Sequence, residues 1–159
     1  MERIYAIDPG QLSSEVLALD TTTTTTEENK TNIIRYLPTT IQQAIPELVR
    51  ELQTRTTTRT SSVSGTTPTP YLDIWVSDMC VKDLRNQLEY FFLARQHQLV
   101  GRGTFFVFTI KCVVGYSSTA FEHQCHEQYR RLQPLAQHLH TFHLFSNRTS
   151  ERTILGYLV

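Results

Sequence analysis

A strand–helix–strand pattern between residues 70 and 116 constrains the fold of this chain more than any other feature. Its first part alternates Leu72, Ile74 and Val76 with side chains of the opposite face, the period-2 signature of a β-strand. Ser77-Asp78 then supplies a predicted helix N-cap. The apolar residues that follow have helical spacing: Val81, Leu84, Leu88, Phe91 and Phe92.

The rest of this region adds a second strand, a second helix and a final pair of strands. Gly101-Arg102-Gly103 breaks the chain, and residues 104–114 form a β-branched and aromatic run. Ser117-Ser118-Thr119 caps a helix, which we expect to continue past a kink at Pro134. Residues 140–146 and 153–159 read as a hairpin. The order β-α-β-α-β-β predicts a single compact α+β domain over 70–159, with a mostly antiparallel sheet and helices packed on it.

The first 69 residues have a different composition and predict an N-terminal arm that is partly disordered. Residues 21–26 are six consecutive threonines, and residues 54–69 are rich in Thr, Ser and Arg. Such segments do not bury an apolar face, so we expect flexible linkers there. Between them, Ile41, Ile45, Leu48 and Leu52 have helical spacing. Because Pro46 is tolerated in the first turn of a helix, the pattern predicts one short helix near 46–53.

Composition and charge limit the classes of function. The chain has 159 residues and a formal net charge of zero, so no global field attracts nucleic acid or an anionic membrane. Its three cysteines, Cys80, Cys112 and Cys125, lack the spacing of a disulfide framework. The N-terminus has no apolar signal segment, and no apolar run is long enough to span a bilayer. We expect a protein that is neither secreted nor transmembrane.

Five of the six histidines lie between 123 and 143, which raises the question of a metal site. His123 and His126 have a spacing that places both on one side of a helix. The sequence that starts at His126 departs from H-E-x-x-H because Arg130 stands where the second ligand would be. We expect no metal site, no cofactor and no catalytic residue. A zinc-dependent enzyme or a zinc-binding protein is retained as an alternative.

Two sets of residues are candidates for contacts with other molecules. Both faces of the central strands are apolar, so either helices cover both sides or one face docks another subunit. The interaction candidates on these strands are Tyr71, Trp75, Phe105 and Val107. A second set, Arg130, Arg131, Arg148 and Arg152, predicts a basic patch near the final hairpin. This patch favours an alternative function, an accessory protein that binds RNA or a host protein.

The layout of the chain resembles that of a viral protein family. Two Thr/Ser/Pro-rich segments precede an α+β domain that is introduced by Pro68-Thr69-Pro70-Tyr71. This order resembles the small matrix proteins of rhabdovirus-type negative-strand RNA viruses, over residues 66–159. The family's late motifs are P-P-x-Y and P-[ST]-A-P, and residues 67–71 match neither, so the resemblance implies no recruitment function.

The resemblance and the two-sided apolar strands together predict a non-enzymatic structural protein of matrix type. Such a protein self-associates and bridges the nucleocapsid and the envelope, and the resemblance implies a location in the virion and in the host cytoplasm or nucleus. The expected partners are further copies of the chain, the viral nucleoprotein and a membrane surface, whereas nucleic acid is only weakly indicated. This expectation rests on layout and not on matched site residues.

Overall fold

A computed structural model describes residues 4–7, 34–37, 40–57, 72–145 and 150–159 of the chain. The chain divides into two compact units, Met1–Thr57 and Thr58–Val159. The sequence placed the boundary at 69/70, and residues 58–69, between the two boundaries, lie outside the described ranges. The predicted linker 21–26 also lies outside them, whereas residues 54–57 of the predicted linker 54–69 are helical.

The first unit contains two strands that the sequence did not predict. Strand β1 (Ile4–Ile7) pairs in parallel with strand β2 (Ile34–Leu37). Each is only four residues long, and the two are separated by 26 residues of sequence. Short strands of this kind leave too little alternation for a sequence pattern to be recognised.

Helix α1 (Ile41–Thr57) is longer than the predicted helix near 46–53. Its first turn is closed by backbone N–H groups of Gln43 and Ala44, which donate to the Thr40 carbonyl at 3.1 and 3.0 Å. Pro46 therefore lies inside the helix and not in its first turn, at a cost of about 3 kcal/mol. The side chains of Ile45 and Leu48 are buried, which contributes about 1.5–3 kcal/mol each and offsets that cost.

The second unit confirms the predicted order of elements. Its elements are β3 (Ile74–Cys80), α2 (Leu84–Gln96), β4 (Phe105–Lys111), α3 (Ser118–Leu132), β5 (Ala136–Phe145) and β6 (Ser150–Leu158). The four strands form one sheet in the order β3-β4-β6-β5. Strands β3 and β4 are parallel, and the other two pairs are antiparallel. The unit is an α+β domain with a mostly antiparallel sheet.

Two helix boundaries differ from the sequence prediction. Strand β3 continues through Ser77 and Asp78, and α2 begins only after a 3-10 turn at Val81–Asp83. At the other end, α3 stops at Leu132 and strand β5 starts at Ala136, so no kinked helix follows Pro134. Pro134 instead lies in a 3-10 turn, where its missing N–H costs no α-helical hydrogen bond. The predicted cap of α3 is confirmed, because the Ser117 hydroxyl oxygen accepts from the Ala120 N–H at 3.4 Å.

The core of this unit forms around Phe91 of α2. Its ring centroid lies 5.0 Å from that of Phe108, 5.4 Å from Phe106 and 5.9 Å from Trp75. Such offset and edge-on ring pairs add about 0.5–1.5 kcal/mol beyond the buried area. The same face of β4 also buries Ile110. Helix α2 therefore packs on β3 and β4 through one aromatic cluster.

Helix α3 packs beside α2 on the same face of the sheet. Its buried side chains are Phe121, Cys125, Gln128 and Leu132. The buried amide of Gln128 donates to the Leu84 carbonyl at 3.3 Å, at the start of α2. Gly156 of β6 permits close packing beneath the helices, because a Cβ there would lie 3.2 Å from side-chain atoms of Phe106 and Leu139. Both helices thus cover one face of the sheet, which decides between the two arrangements that the sequence left open.

We predict that Phe91→Ala lowers the free energy of unfolding by about 3–5 kcal/mol, because it removes the ring that contacts three other aromatic side chains. Phe142→Ala deletes the same atoms at a position that is 53% exposed, and we expect a loss below about 1 kcal/mol. Urea denaturation followed by circular dichroism measures both. Equal losses in the two variants would contradict the assignment of Phe91 to the centre of the core.

Candidate functional site: the open face of the sheet

The face of the sheet opposite α2 and α3 carries mainly apolar side chains. Strand alternation and pairing register define it, because Ile74 pairs with Phe105 and Phe105 pairs with Tyr157. The next aligned row is Val76, Val107 and Leu155. On strand β5 the same face carries Phe142, which is paired with Thr153. We call the surface formed by these side chains the open face: Ile74, Val76, Phe105, Val107, Phe142, Leu155 and Tyr157.

Several of these side chains are well exposed. Val76 is 70% exposed and Ile74 is 61% exposed, both on strand β3. Tyr157 is 41% exposed, and its ring centroid lies 5.0 Å from that of Phe105. Phe105, Val107 and Leu155 are half-buried by their neighbours. An antiparallel sheet with one solvated face normally places polar side chains there, so a contiguous apolar surface of this kind marks a contact site.

Charged residues mark one end of the open face. The Lys111 ammonium group lies 2.6 Å from Asp78 Oδ2 on the neighbouring strand. The hydrogen bond to Asp78 and the charge of that carboxylate raise the pKa of Lys111 above its ordinary value. Glu151 is the pairing partner of Lys111 on strand β6. The face is therefore apolar over two aligned rows on β3, β4 and β6, it continues onto β5 with the polar Gln137 and His140, and it is ionic at the end where β3 and β4 finish.

The structure separates the four interaction candidates that the sequence suggested. Phe105 and Val107 lie on the open face, as partners of Ile74 and Val76. Trp75 pairs with Phe106 and packs against Phe91, so it lies on the helix-covered face. Its indole Nε1 is buried and has no hydrogen-bond partner among the described residues. Tyr71 lies outside the described residues.

Sequence reasoning missed five members of the open face: Ile74, Val76, Phe142, Leu155 and Tyr157. The signal was present in the alternation of β3, but residue type favoured Trp75 as the contact residue. Deciding between the two sets requires the register between β3 and β4 and the side on which α2 packs. Neither of these is a local property of the sequence.

Three of the four arginines of the predicted basic patch lie among the described residues. Arg152 of β6 donates to Glu122 Oε2 on α3, which neutralises its charge. Arg130 and Arg131 lie in the last turn of α3, eight and nine residues after Glu122, or about 12–14 Å along the helix axis. The Arg131 guanidinium lies over the Phe92 ring, 5.6 Å from its centroid. Arg148 lies outside the described residues. The RNA-binding alternative stays a prediction, and its surface is weakened by the pairing of Arg152 with a distant residue that the sequence did not reveal.

A small polar cluster at the start of α3 surrounds Glu122. His143 Nδ1 lies 3.5 Å from Glu122 Oε1, and Arg152 contacts the other carboxylate oxygen. Cys125, one turn further along α3, is 3% exposed. Burial raises the pKa of the Cys125 thiol to about 12, although Arg152 acts in the opposite direction. A thiol that keeps its proton near neutral pH is a poor nucleophile, so the cluster has the chemistry of a structural contact.

The histidine pair does not assemble a metal site within the described ranges. His123 and His126 are both exposed on α3. Within residues 4–7, 34–37, 40–57, 72–145 and 150–159, no three His, Cys, Asp or Glu side chains lie close enough together to hold an ion. A tetrahedral zinc site needs four ligands or three with a water, so the zinc alternative finds no support in this part of the chain.

No protein-family model matches this sequence, and no curated protein is significantly similar to it. The three helices described are also each too short or too polar to cross a lipid bilayer. The open face is therefore interpreted from its own geometry.

We predict that Glu122→Gln lowers the free energy of unfolding by about 1–2 kcal/mol, because it leaves the mostly buried Arg152 cation without its anion. The matched control is Glu89→Gln, which removes a carboxylate from the exposed helical pair with Arg85. The change in that control should be below about 0.5 kcal/mol. Urea denaturation at pH 7 compares them. Indistinguishable losses would mean that the Glu122 pair has no special role.

We predict that Cys125 resists iodoacetamide at pH 8 in the folded protein, because a thiol pKa of about 12 leaves roughly a thousandth of the usual thiolate. The half-buried Cys80 and Cys112 in the same sample are internal controls, and all three should react in denaturant. Peptide mass spectrometry measures each site. Alkylation of Cys125 as fast as Cys80 would refute its protection.

The same pKa shift makes the stability of the protein depend on pH. Since the folded pKa of Cys125 exceeds the ordinary 9.0, the stability due to the protonated thiol is complete below pH 9 and is lost as pH rises towards 12.

Proposed function

We propose that this protein is a non-enzymatic assembly protein that associates with further copies of itself, and that the open face is its contact surface. The observation that carries the proposal is the apolar face of a four-stranded sheet, which neither α2 nor α3 covers. Its most exposed members, Ile74 and Val76, are large aliphatic side chains in regular strand positions. Burying such a side chain completely is worth about 1.5–3 kcal/mol, so a few of them can support association.

The chemistry of the open face supports binding. On β3, β4 and β6 its first two rows consist of aliphatic and aromatic side chains, and the charged residues Asp78 and Lys111 at its end already pair with each other. Covering a paired charge with a partner costs less desolvation free energy than covering an unpaired one. The same pair disfavours a partner that would place a further like charge beside it. Copies of the same chain present the same apolar rows, which suits them to pack on one another.

We also propose the more specific role of a matrix-type protein of a virion, which bridges the nucleocapsid and the envelope. What supports this role is the order of the chain, with Thr/Ser/Pro-rich segments before an α+β domain. A formal net charge of zero makes a long-range attraction to an anionic membrane weak. Contact with an envelope would then depend on the assembled form and on partner proteins more than on the charge of one copy.

We predict that the wild-type protein forms concentration-dependent oligomers in sedimentation velocity, and that Val107→Lys reduces them at least tenfold in apparent association constant. Val107 lies between Val76 and Leu155 on the open face, where the charge of the introduced lysine would have to be desolvated on contact. Phe142→Lys provides a second variant at a more exposed position on the same face. High salt is included, because hydrophobic association persists there whereas association through exposed charges weakens.

The matched control is Gln124→Lys, which adds the same charge at an exposed position on α3. It should sediment like the wild type. Circular dichroism confirms that each variant is folded. A wild-type protein that remains monomeric at high concentration, or open-face variants that assemble as well as Gln124→Lys, would overturn the proposed function.

A further inference from the structure

Among the described residues, strand β3 is an edge strand with little of the usual protection against pairing with another chain, because its one charged side chain, Asp78, is already paired with Lys111. The sheet order places β3 at one edge and β5 at the other. Edge strands expose unpaired backbone N–H and C=O groups, and proteins commonly protect them with proline, charges or β-bulges. Strand β3 contains neither proline nor glycine, and it runs in continuous register with β4 over all seven residues.

The other edge of the same sheet shows what such protection looks like. Strand β5 has a register irregularity between Gln137 and His140. Within it His138 has a φ of 51°, a conformation that breaks the extended backbone. Regular pairing with a further strand is interrupted at this bulge and could extend only over residues 140–145, which keep continuous register with β6. The sheet therefore has one uninterrupted edge and one that is interrupted.

The pairing with β4 fixes which backbone groups of β3 point outward. The Phe105 N–H donates to the Asp73 carbonyl at 2.8 Å, so the odd-numbered residues of β3 direct their backbone groups towards β4. The even-numbered residues Ile74, Val76 and Asp78 then direct their N–H and C=O groups away from the sheet. Their side chains belong to the same face as the open face, and two of them are its most exposed members.

We propose that β3 of one copy pairs antiparallel with β3 of a second copy across a two-fold axis at Val76. This inference rests on the proposed function in that the partner is another copy of the chain. In this register Val76 faces Val76, and Ile74 of each copy faces Asp78 of the other. Each of these three residues donates one backbone hydrogen bond and accepts one, and Cys80, the fourth outward-pointing residue of β3, lies beyond the paired segment.

The charges of β3 are compatible with a second copy as the partner. Asp78 is the one ionisable carboxylate in β3, and its charge is paired with Lys111 at 2.6 Å. The antiparallel register places the two Asp78 residues at opposite ends of the paired segment, where they face Ile74 and not each other. No like charges therefore meet at the new strand pair, which is the arrangement that would oppose it.

The pairing has a consequence for how assembly proceeds. Because even-numbered residues stay on one side, the two open faces join into one surface on an eight-stranded sheet, twice the four of one copy. A two-fold strand pair is closed and stops at a dimer, so it cannot produce larger assemblies alone. The open face supplies a second and different contact that links such dimers. The two contacts can be removed separately.

The test removes the open-face contact first and then blocks the edge. In a Val107→Lys background, which weakens the open-face contact, we expect a dimer in sedimentation velocity. Adding Val76→Pro should convert it to a monomer, with a dimer dissociation constant raised roughly tenfold or more. The N–H of Val76 points outward and not towards β4, so proline there removes a donor of the new pair without breaking the existing ladder.

The matched control is Val76→Thr, which keeps the N–H group and the β-branched shape and should remain dimeric in the same background. A dimer that persists with Val76→Pro, or a Val107→Lys protein that is already monomeric, would overturn the pairing. If Val107→Lys sediments like the wild type, the open-face proposal fails. Sedimentation of Val76→Pro in the otherwise wild-type chain then tests the β3 pairing by itself. The two failures are therefore distinguishable.

Amide hydrogen exchange on the Val107→Lys protein provides a readout that does not depend on a folded proline variant. The amides of Ile74, Val76 and Asp78 should exchange slowly at high protein concentration and rapidly when the dimer is diluted. The amides of Trp75 and Ser77 point towards β4 and should be protected at both concentrations. Even-numbered amides that stay protected on dilution, or that exchange rapidly in the dimer, would rule the pairing out.

Discussion

The one-sided packing of the two helices is the constraint on which the rest of this structure depends. The parallel pair β3 and β4 requires a crossover, and the aromatic cluster of Phe91 holds α2 against that pair. The Gln128 amide then ties α3 to the start of α2, on the same side. Once both helices lie there, strand alternation sends Phe106 and Phe108 into the core and leaves Phe105 and Val107 on the open face.

This constraint also explains how far the sequence could predict the fold and the site. Element order follows from local periodicity, and it was correct for all six elements of the second unit. The choice between two apolar faces is different, because it depends on register and on where α2 packs. Trp75 has the residue type of a contact site, yet its ring packs 5.9 Å from Phe91 in the core. The less conspicuous Ile74 and Val76 are the exposed side chains.

Long-range polar contacts were the second property that the sequence could not reveal. Arg152 reads as a free cation beside other arginines, whereas its partner Glu122 lies thirty residues earlier on a different element. Element ends raise a similar difficulty. Pro134 suggested a kinked helix, but pairing of Ala136 and Gln137 with β6 makes that segment a strand. In each case a contact made only in the folded chain outweighs a local preference.

The asymmetry between the two sheet edges connects the fold to the proposed assembly. An exposed edge beside an exposed apolar face is a hazard, because copies could add in many registers and aggregate. The charge of Asp78 limits that freedom, since in-register parallel pairing, or antiparallel pairing centred on Asp78, would place like charges together. The bulge in β5 limits it further, because it shortens the regular stretch of that edge to residues 140–145. Strand pairing then ends at a dimer, and any larger assembly has to use the open face, where side-chain shape and not backbone hydrogen bonding selects the partner.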